Sequence, residues 1–244
     1  MKVDFLIVGT QKDGTTALHH FLNQTPGLCL PKVKEVHFFD NEEFFAGEPD
    51  YNLYHNHFSH HQAGDICGEA TPIYMHWKPA AERILQYNPN MKLICCLRNP
   101  VDHRYSHDMT ERQRGYETQG FSYALRLERQ RRLSEHPLQH RLYSHAKRGY
   151  HSRKILQPLK LFPRKNMLFV NNEDLQHQRD DILTKAWDFI GVTPSASLIP
   201  MERITSNDYI PMPASDRTDL SSPFRAESSR LEELLGWNLR EWRS

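Results

Sequence analysis

Near the start of the chain, Gly9-Thr10-Gln11-Lys12-Asp13-Gly14-Thr15-Thr16 combines residue types and a spacing that can hold an anion. Backbone N–H groups at a helix N-terminus make an anion-binding nest, and the helix dipole reinforces it. The glycines and Thr16 match the nucleotide-triphosphate loop G-x-x-x-x-G-K-[ST], but Thr15 stands where that loop carries its lysine. The cation comes earlier, at Lys12, so it approaches a bound anion from another direction. A tight strand–helix turn with no ligand would account for the glycines alone. The hydroxyls and the lysine favour anion binding.

Such a loop needs a strand before it and a helix after it. Residues 3–9 form a short apolar run ended by glycine, which reads as a buried strand. A helix is expected from about Thr15 to Asn23, bearing Ala17, Leu18, Phe21 and Leu22. Strand, glycine-bounded loop and helix make the first half of a parallel α/β unit. Residues 80–88 read as a helix stopped by Pro89-Asn90, and Lys92 to Leu97 as a second buried strand. A third strand is expected at 167–170 and a helix at 180–190, with Ile182, Leu183, Ala186, Trp187 and Ile190 on one face. The predicted fold class is α/β: three layers, P-loop-like, with a central parallel sheet flanked by helices. A long charged helical stretch is expected over roughly 110–160, an irregular wrap from Thr193 to Phe224, and a short closing helix from Ala226 to Leu235. One domain over 1–244 is the expected organisation.

Composition removes several function classes. The formal charge is +1, from 31 basic and 30 acidic residues, which argues against a general nucleic-acid or membrane-surface binder. The N-terminal apolar run is too short for a signal-peptide core. No stretch approaches the roughly 18 apolar residues of a membrane span. Cys29, Cys67, Cys95 and Cys96 form no C-x-x-C pair, and the last two lie within an apolar strand. Buried thiols in a reducing, cytoplasmic compartment are therefore expected. His55, His57, His60 and His61 lack cysteine or carboxylate partners at ligand spacing and read as a solvated loop.

Four stretches carry a family resemblance: Gln11-Lys12-Asp13-Gly14-Thr15-Thr16-Ala17-Leu18, Lys34-Glu35-Val36-His37-Phe38-Phe39-Asp40, Glu69-Ala70-Thr71-Pro72-Ile73-Tyr74, and Leu97-Arg98-Asn99-Pro100-Val101-Asp102-His103-Arg104-Tyr105-Ser106-His107. In this order the chain resembles the sulfotransferases that use PAPS (3′-phosphoadenosine 5′-phosphosulfate), in particular the branch of heparan sulfate N- and O-sulfotransferases and their bacterial relatives. The resemblance implies that Lys12 binds the 5′-phosphosulfate and stabilises the departing phosphate. Asp13, Gly14, Thr15, Thr16 and Ala17 would supply donors to the same group. Asp13 departs from the small or neutral residue usual there, so its side chain should point away or pair with a cation. Arg98 and Ser106 match the pair that holds the 3′-phosphate; an arginine fork suits phosphate oxygens, and a hydroxyl at the start of a helix adds a donor.

Glu35 is the candidate general base, with His37 as its assistant or as the base itself; a solvated carboxylate and a packed core histidine are the plain alternatives. Arg148 and Tyr150 belong to a segment expected near the nucleotide. Ala70 replaces a lysine found in several heparan-modifying members, which weakens a heparan-like acceptor. The resemblance thus implies transfer of a sulfuryl group from PAPS, with PAP as product, to a hydroxyl or, as second choice, an amine. The acceptor is a saccharide or small metabolite, with no metal and no nucleic-acid partner. A P-loop nucleotide kinase and a non-catalytic PAP-binding module are the alternatives. The kinase is disfavoured by the placement of Lys12 and by Arg98 at the end of the second strand, where an acidic magnesium ligand would be needed.

Overall fold

The structure, a computed structural model, describes residues 1–121, 123, 150–193, 210 and 212–243. They gather into two compact units, Met1–Arg98 with Lys154–Ile204 and Asn99–Arg153 with Thr205–Ser244.

The first unit is built on a five-stranded sheet, all parallel, in the order β2-β3-β1-β4-β5. The strands are β1 Phe5–Gly9, β2 Leu28–Cys29, β3 Ile66–Ala70, β4 Lys92–Leu97 and β5 Met167–Asn171. Every residue of β1 is buried, as a central strand covered on both faces requires. On one face Phe5, Ile7, Ala70, Ile94, Cys96 and Val170 join a core with α1 (Thr15–Asn23), α6 (Asn172–His177) and α7 (Arg179–Ile190). The alternate residues Leu6, Val8, Leu93, Cys95 and Leu97 are buried as well. Helix α7 presents Ile182, Leu183, Ala186, Trp187 and Ile190 to the core as its spacing predicts, and it ends at Gly191 with φ 91°. Buried Trp187 donates from Nε1 to Thr25 Oγ1 at 3.1 Å. Helices α2 (Tyr51–His55) and α3 (Lys78–Tyr87) complete the unit with the greater part of α5 (His151–Leu161).

The second unit contains α4 (Pro100–Gln113), the first residues of α5 and α8 (Ala214–Leu235). Val101, Phe121, Leu220 and Phe224 form its core, with Tyr105, Tyr150 and Met212 packed against them. Asn99 caps α4 by accepting from Val101 N at 3.0 Å, with Pro100 in the first turn. Glu227 of α8 accepts from Ser152 N at 2.6 Å and Ser152 Oγ at 2.8 Å, which satisfies a donor at the start of α5.

Several sequence expectations change. The stretch 110–160 is not one helix, because α4 ends at Gln113 and Gly115 turns the chain with φ 78°; residues 122 and 124–149 lie outside the described residues. The expected irregular wrap is helical from Ala214, and the helix expected at 226–235 is the second half of α8. Strands β2 and β3 were not anticipated, since Gly68 and Glu69 break the apolar run of β3. The four cysteines are free and buried, as expected. His55 and His60 are not simply solvated: His55 Nε2 meets Tyr87 Oη at 2.9 Å, and His60 Nε2 meets Leu30 O at 3.1 Å.

Gly68 pairs with Phe5 across β3 and β1, and a Cβ there would overlap the buried Phe5 ring. Gly68→Ala should therefore destabilise the protein by about 1–3 kcal/mol through overpacking. Thermal unfolding checks this: a lowered Tm, partly restored by adding Phe5→Leu, is expected, and an unchanged Tm contradicts the packing account.

Candidate active site at the carboxyl edge of the sheet

Open α/β sheets bind ligands beyond the carboxyl ends of their strands, where the strand order reverses. Here the reversal lies at β1, which has β3 on one side and β4 on the other. Gly9 closes β1 opposite Cys95, and Thr10 N donates to Cys96 O at 2.6 Å, so the loop is anchored to β4 before it turns. Arg98 directly follows Leu97 at the end of β4.

The loop's glycines are required by space as well as conformation. A Cβ at Gly9 would overlap Met75, and one at Gly14 would overlap Asn172 Oδ1. Gly14 also has φ 92° and sits at the N-cap of α1, a left-handed position that favours glycine. The amides of Thr15, Thr16 and Ala17 open this nine-residue helix and have no carbonyl one turn earlier within it. Thr15 is buried, Thr16 exposed and Ala17 half-buried. The Asp13 side chain is fully buried, and its amide donates to Thr10 O at 3.2 Å.

A second segment, residues 34–40, forms a strap pinned to the same edge. Glu35 N donates to Ala70 O, the last residue of β3, at 3.1 Å. Phe38 N and Phe39 N donate to Tyr74 Oη at 3.0 and 3.3 Å. The rings of Phe38 and Phe39 are fully buried among Phe45, Tyr54, Tyr74 and Tyr87, so the strap rests on an aromatic platform. Arg83 ties down its far end by donating to Phe39 O at 3.0 Å while stacking 4.3 Å over the Phe45 ring. Among the described residues, those other than glycine with positive φ are Lys12 at 71°, Glu35 at 66° and His37 at 56°. Such backbone is costly for ordinary residues and clusters where function demands a direction.

The strap's charges are interlocked. His37 Nδ1 lies 3.0 Å from Asp40 Oδ2, and its Nε2 lies 3.5 Å from Glu35 Oε2. Lys34 Nζ lies 2.7 Å from Glu35 Oε1. Asp40 first and Glu35 second push the His37 imidazole up to about 10. His37 and then Lys34, against the opposing effect of burial, pull the Glu35 carboxyl down to about 2. Glu35 is thus an ionised proton acceptor beside an imidazolium, and His37 is already protonated. That arrangement suits Glu35 as the base and His37 as the group that orients it.

Lys12, Glu35, His37 and Arg98 all belong to the first unit, with the loop and the strap on one edge of the sheet and Arg98 at the end of β4. Ser106 belongs to the second unit; it is buried two turns inside α4, not at the helix start, and its carbonyl accepts from Thr110 Oγ1. Tyr150 packs against Phe224 at 5.3 Å between ring centroids. Arg148 lies outside the described residues. Sequence reasoning left out Lys34, Asp40 and His19. The first two were signalled by their positions one before and five after Glu35. His19 gave no signal: burial and Lys34 lower its pKa to about 4, leaving a neutral imidazole on α1.

The sulfotransferase domain family model matches residues 2–209. The human bifunctional heparan sulfate N-deacetylase/N-sulfotransferase 3 is 27% identical over 98% of this chain and 31% of its own length. Mouse heparan sulfate glucosamine 3-O-sulfotransferase 5 is 33% identical over 48% of this chain and 33% of its own length. The chain therefore spans about a third of these curated relatives. The crystal structure of a sulfotransferase from Alicyclobacillus acidocaldarius is 26% identical, covers 100% of both chains and superposes with a TM-score of 0.82. No helix among the described residues is long and apolar enough to cross a membrane. A parallel sheet flanked by helices, a glycine-bounded loop at its switch point and a family match over most of the length lead to one conclusion: the chain belongs to the PAPS-dependent sulfotransferase family.

Proposed function

We propose that this chain transfers a sulfuryl group from PAPS to a hydroxyl of a saccharide or small metabolite, as a single domain over 1–244. The observation that carries the reading is the coincidence of three left-handed, non-glycine residues with the three candidate catalytic side chains, Lys12, Glu35 and His37. The family match runs through residues of both compact units, which supports treating them as one domain.

In the proposed step the acceptor oxygen attacks sulfur in line, forming one S–O bond as the bond from sulfur to the bridging oxygen breaks. The acceptor proton passes to the Glu35 carboxylate. Negative charge gathers on the leaving 5′-phosphate of PAP, where Lys12 and the amides of the 13–17 loop neutralise it. Arg98 and Ser106 hold the 3′-phosphate, with Arg148 and Tyr150 as further nucleotide contacts. Lysine and arginine supply the cations, so the step is assigned without a metal. An amine acceptor is the second reading, favoured by the N-sulfotransferase relative that matches nearly the whole chain. Ala70, in place of the lysine of several heparan-modifying members, favours an acceptor unlike heparan.

Calorimetry tests the donor assignment: PAP should bind without magnesium and far more tightly than adenosine 5′-monophosphate, and equal affinities would remove the 3′-phosphate role of Arg98 and Ser106. With labelled PAPS and a panel of acceptors, Lys12→Ala should reduce kcat by about 10²–10³ through loss of charge stabilisation. Glu35→Gln should bind PAP normally and lose about 10²–10⁴ in rate, the usual contribution of a general base. Full turnover in Glu35→Gln would reject it as the base.

The depressed Glu35 carboxyl contributes stability above its ordinary value near 4.5, and that contribution is lost as pH falls through about 2. The raised His37 contributes stability below its ordinary value near 6.5, and that contribution is lost as pH rises through about 10. Both contributions are complete between those ordinary values. Removing the imidazole in His37→Asn should return Glu35 toward the ordinary carboxylate range. The acid limb of kcat/KM should then move to higher pH; an unmoved limb means that His37 does not hold Glu35.

A further inference from the structure

Behind the strap lies a charged group that the transfer step does not use. Glu69 sits inside β3 with 0% of its surface exposed. A carboxylate buried in a sheet is costly unless donors surround it. Tyr54 Oη donates to Oε1 at 3.0 Å, Tyr74 Oη donates to Oε1 at 2.9 Å, and Thr71 Oγ1 donates to Oε2 at 2.7 Å. Burial pushes its pKa up, and these three donors oppose that.

The hydrogens around Tyr74 can run in one direction. Its hydroxyl accepts from Phe38 N and Phe39 N, so its single proton goes to Glu69. The strap's amides are therefore read by the end of β3 and the turn after it: Glu35 by Ala70 O, and Phe38 and Phe39 by Tyr74. Between those fixed points lie the two residues with left-handed backbone, Glu35 and His37. Neither is a glycine, so the conformation must be imposed from outside.

We propose that Glu69 is a positioning residue: acting through Tyr74 on the amides of Phe38 and Phe39, it holds the strap in the turn that aims Glu35 and His37. This rests on the reading of the strap as the catalytic segment. It also accounts for a carboxylate in an apolar strand, where an aliphatic side chain would pack without a desolvation cost. Glutamine is nearly isosteric but brings N–H donors to a place where every neighbour already donates. Phenylalanine at position 74 removes the acceptor of two strap amides and keeps the ring.

The test uses Glu69→Gln and Tyr74→Phe in the full chain, with amide hydrogen exchange and steady-state kinetics measured well below Tm. Exchange at Phe38 and Phe39 should accelerate by about tenfold in both variants, the effect of roughly one lost hydrogen bond. In both variants kcat should fall by about tenfold or more while the Kd for PAP stays within about twofold, because the loop at 9–17 is anchored on β4. Unchanged exchange in both variants overturns the link from Glu69 to the strap. Faster exchange with unaltered kcat makes Glu69 structural only and overturns the positioning role. The exchange measurement needs no turnover, so it separates this proposal from the assignment of Glu35, which Glu35→Gln tests by itself.

Discussion

A parallel sheet buried on both faces accepts charge at low cost only where its strands end. In β1 and β4 nearly every side chain is apolar and buried, and the alternation sends them to both layers. Polar chemistry is thus displaced to the carboxyl edge, where β1 gives way to the 9–17 loop, β3 to the Thr71–Tyr74 turn and β4 to Arg98. Thr10 is bonded to β4 and Glu35 to the end of β3, so the loop and the strap take their positions from neighbouring strands. The geometry of the edge is inherited from the packing below it.

The strap adds an electrostatic constraint. A general base usually works best with a pKa near the operating pH, yet Glu35, the proposed base, lies far lower. Sulfuryl transfer relieves the mismatch, because an oxygen forming a bond to sulfur becomes positively charged and its proton strongly acidic. A carboxylate that is ionised throughout the neutral range can take that proton late in the step. The imidazolium of His37, held by Asp40 on one nitrogen, faces the carboxylate with the other. Lys34 adds a second cation to the proposed base.

How much of this is readable from the sequence depends on whether the decisive forces are local. β1, β4 and β5 were legible because uninterrupted apolar runs bounded by glycine or polar residues suit a buried parallel strand and little else. The glycine spacing of the 9–17 loop was legible for the same reason. β3 was hidden by Gly68 and Glu69, which make sense only with the Phe5 ring across the sheet and the tyrosines behind it. The first half of α8 was hidden by serine and aspartate, whose weak helix propensity is overridden by burying Leu220 and Phe224. Glu35 and His37 were singled out as candidates through resemblance, but their left-handed backbone was not legible, because the strap around them bonds to Tyr74, more than 30 residues away. The same holds for Asp13, whose complete burial no local pattern announces.

At the centre of the account is the placement of the donor's 5′ end on the loop that follows β1. Isotope-labelled protein titrated with PAP, followed by NMR at the backbone amides, tests that placement most directly. The largest shifts are expected at Gly14, Thr15, Thr16 and Ala17, with the Lys12 side-chain ammonium responding at the same nucleotide concentration. Shifts centred elsewhere, for example on Lys2 and Lys92 at the opposite edge of the sheet, with a silent loop, would contradict it.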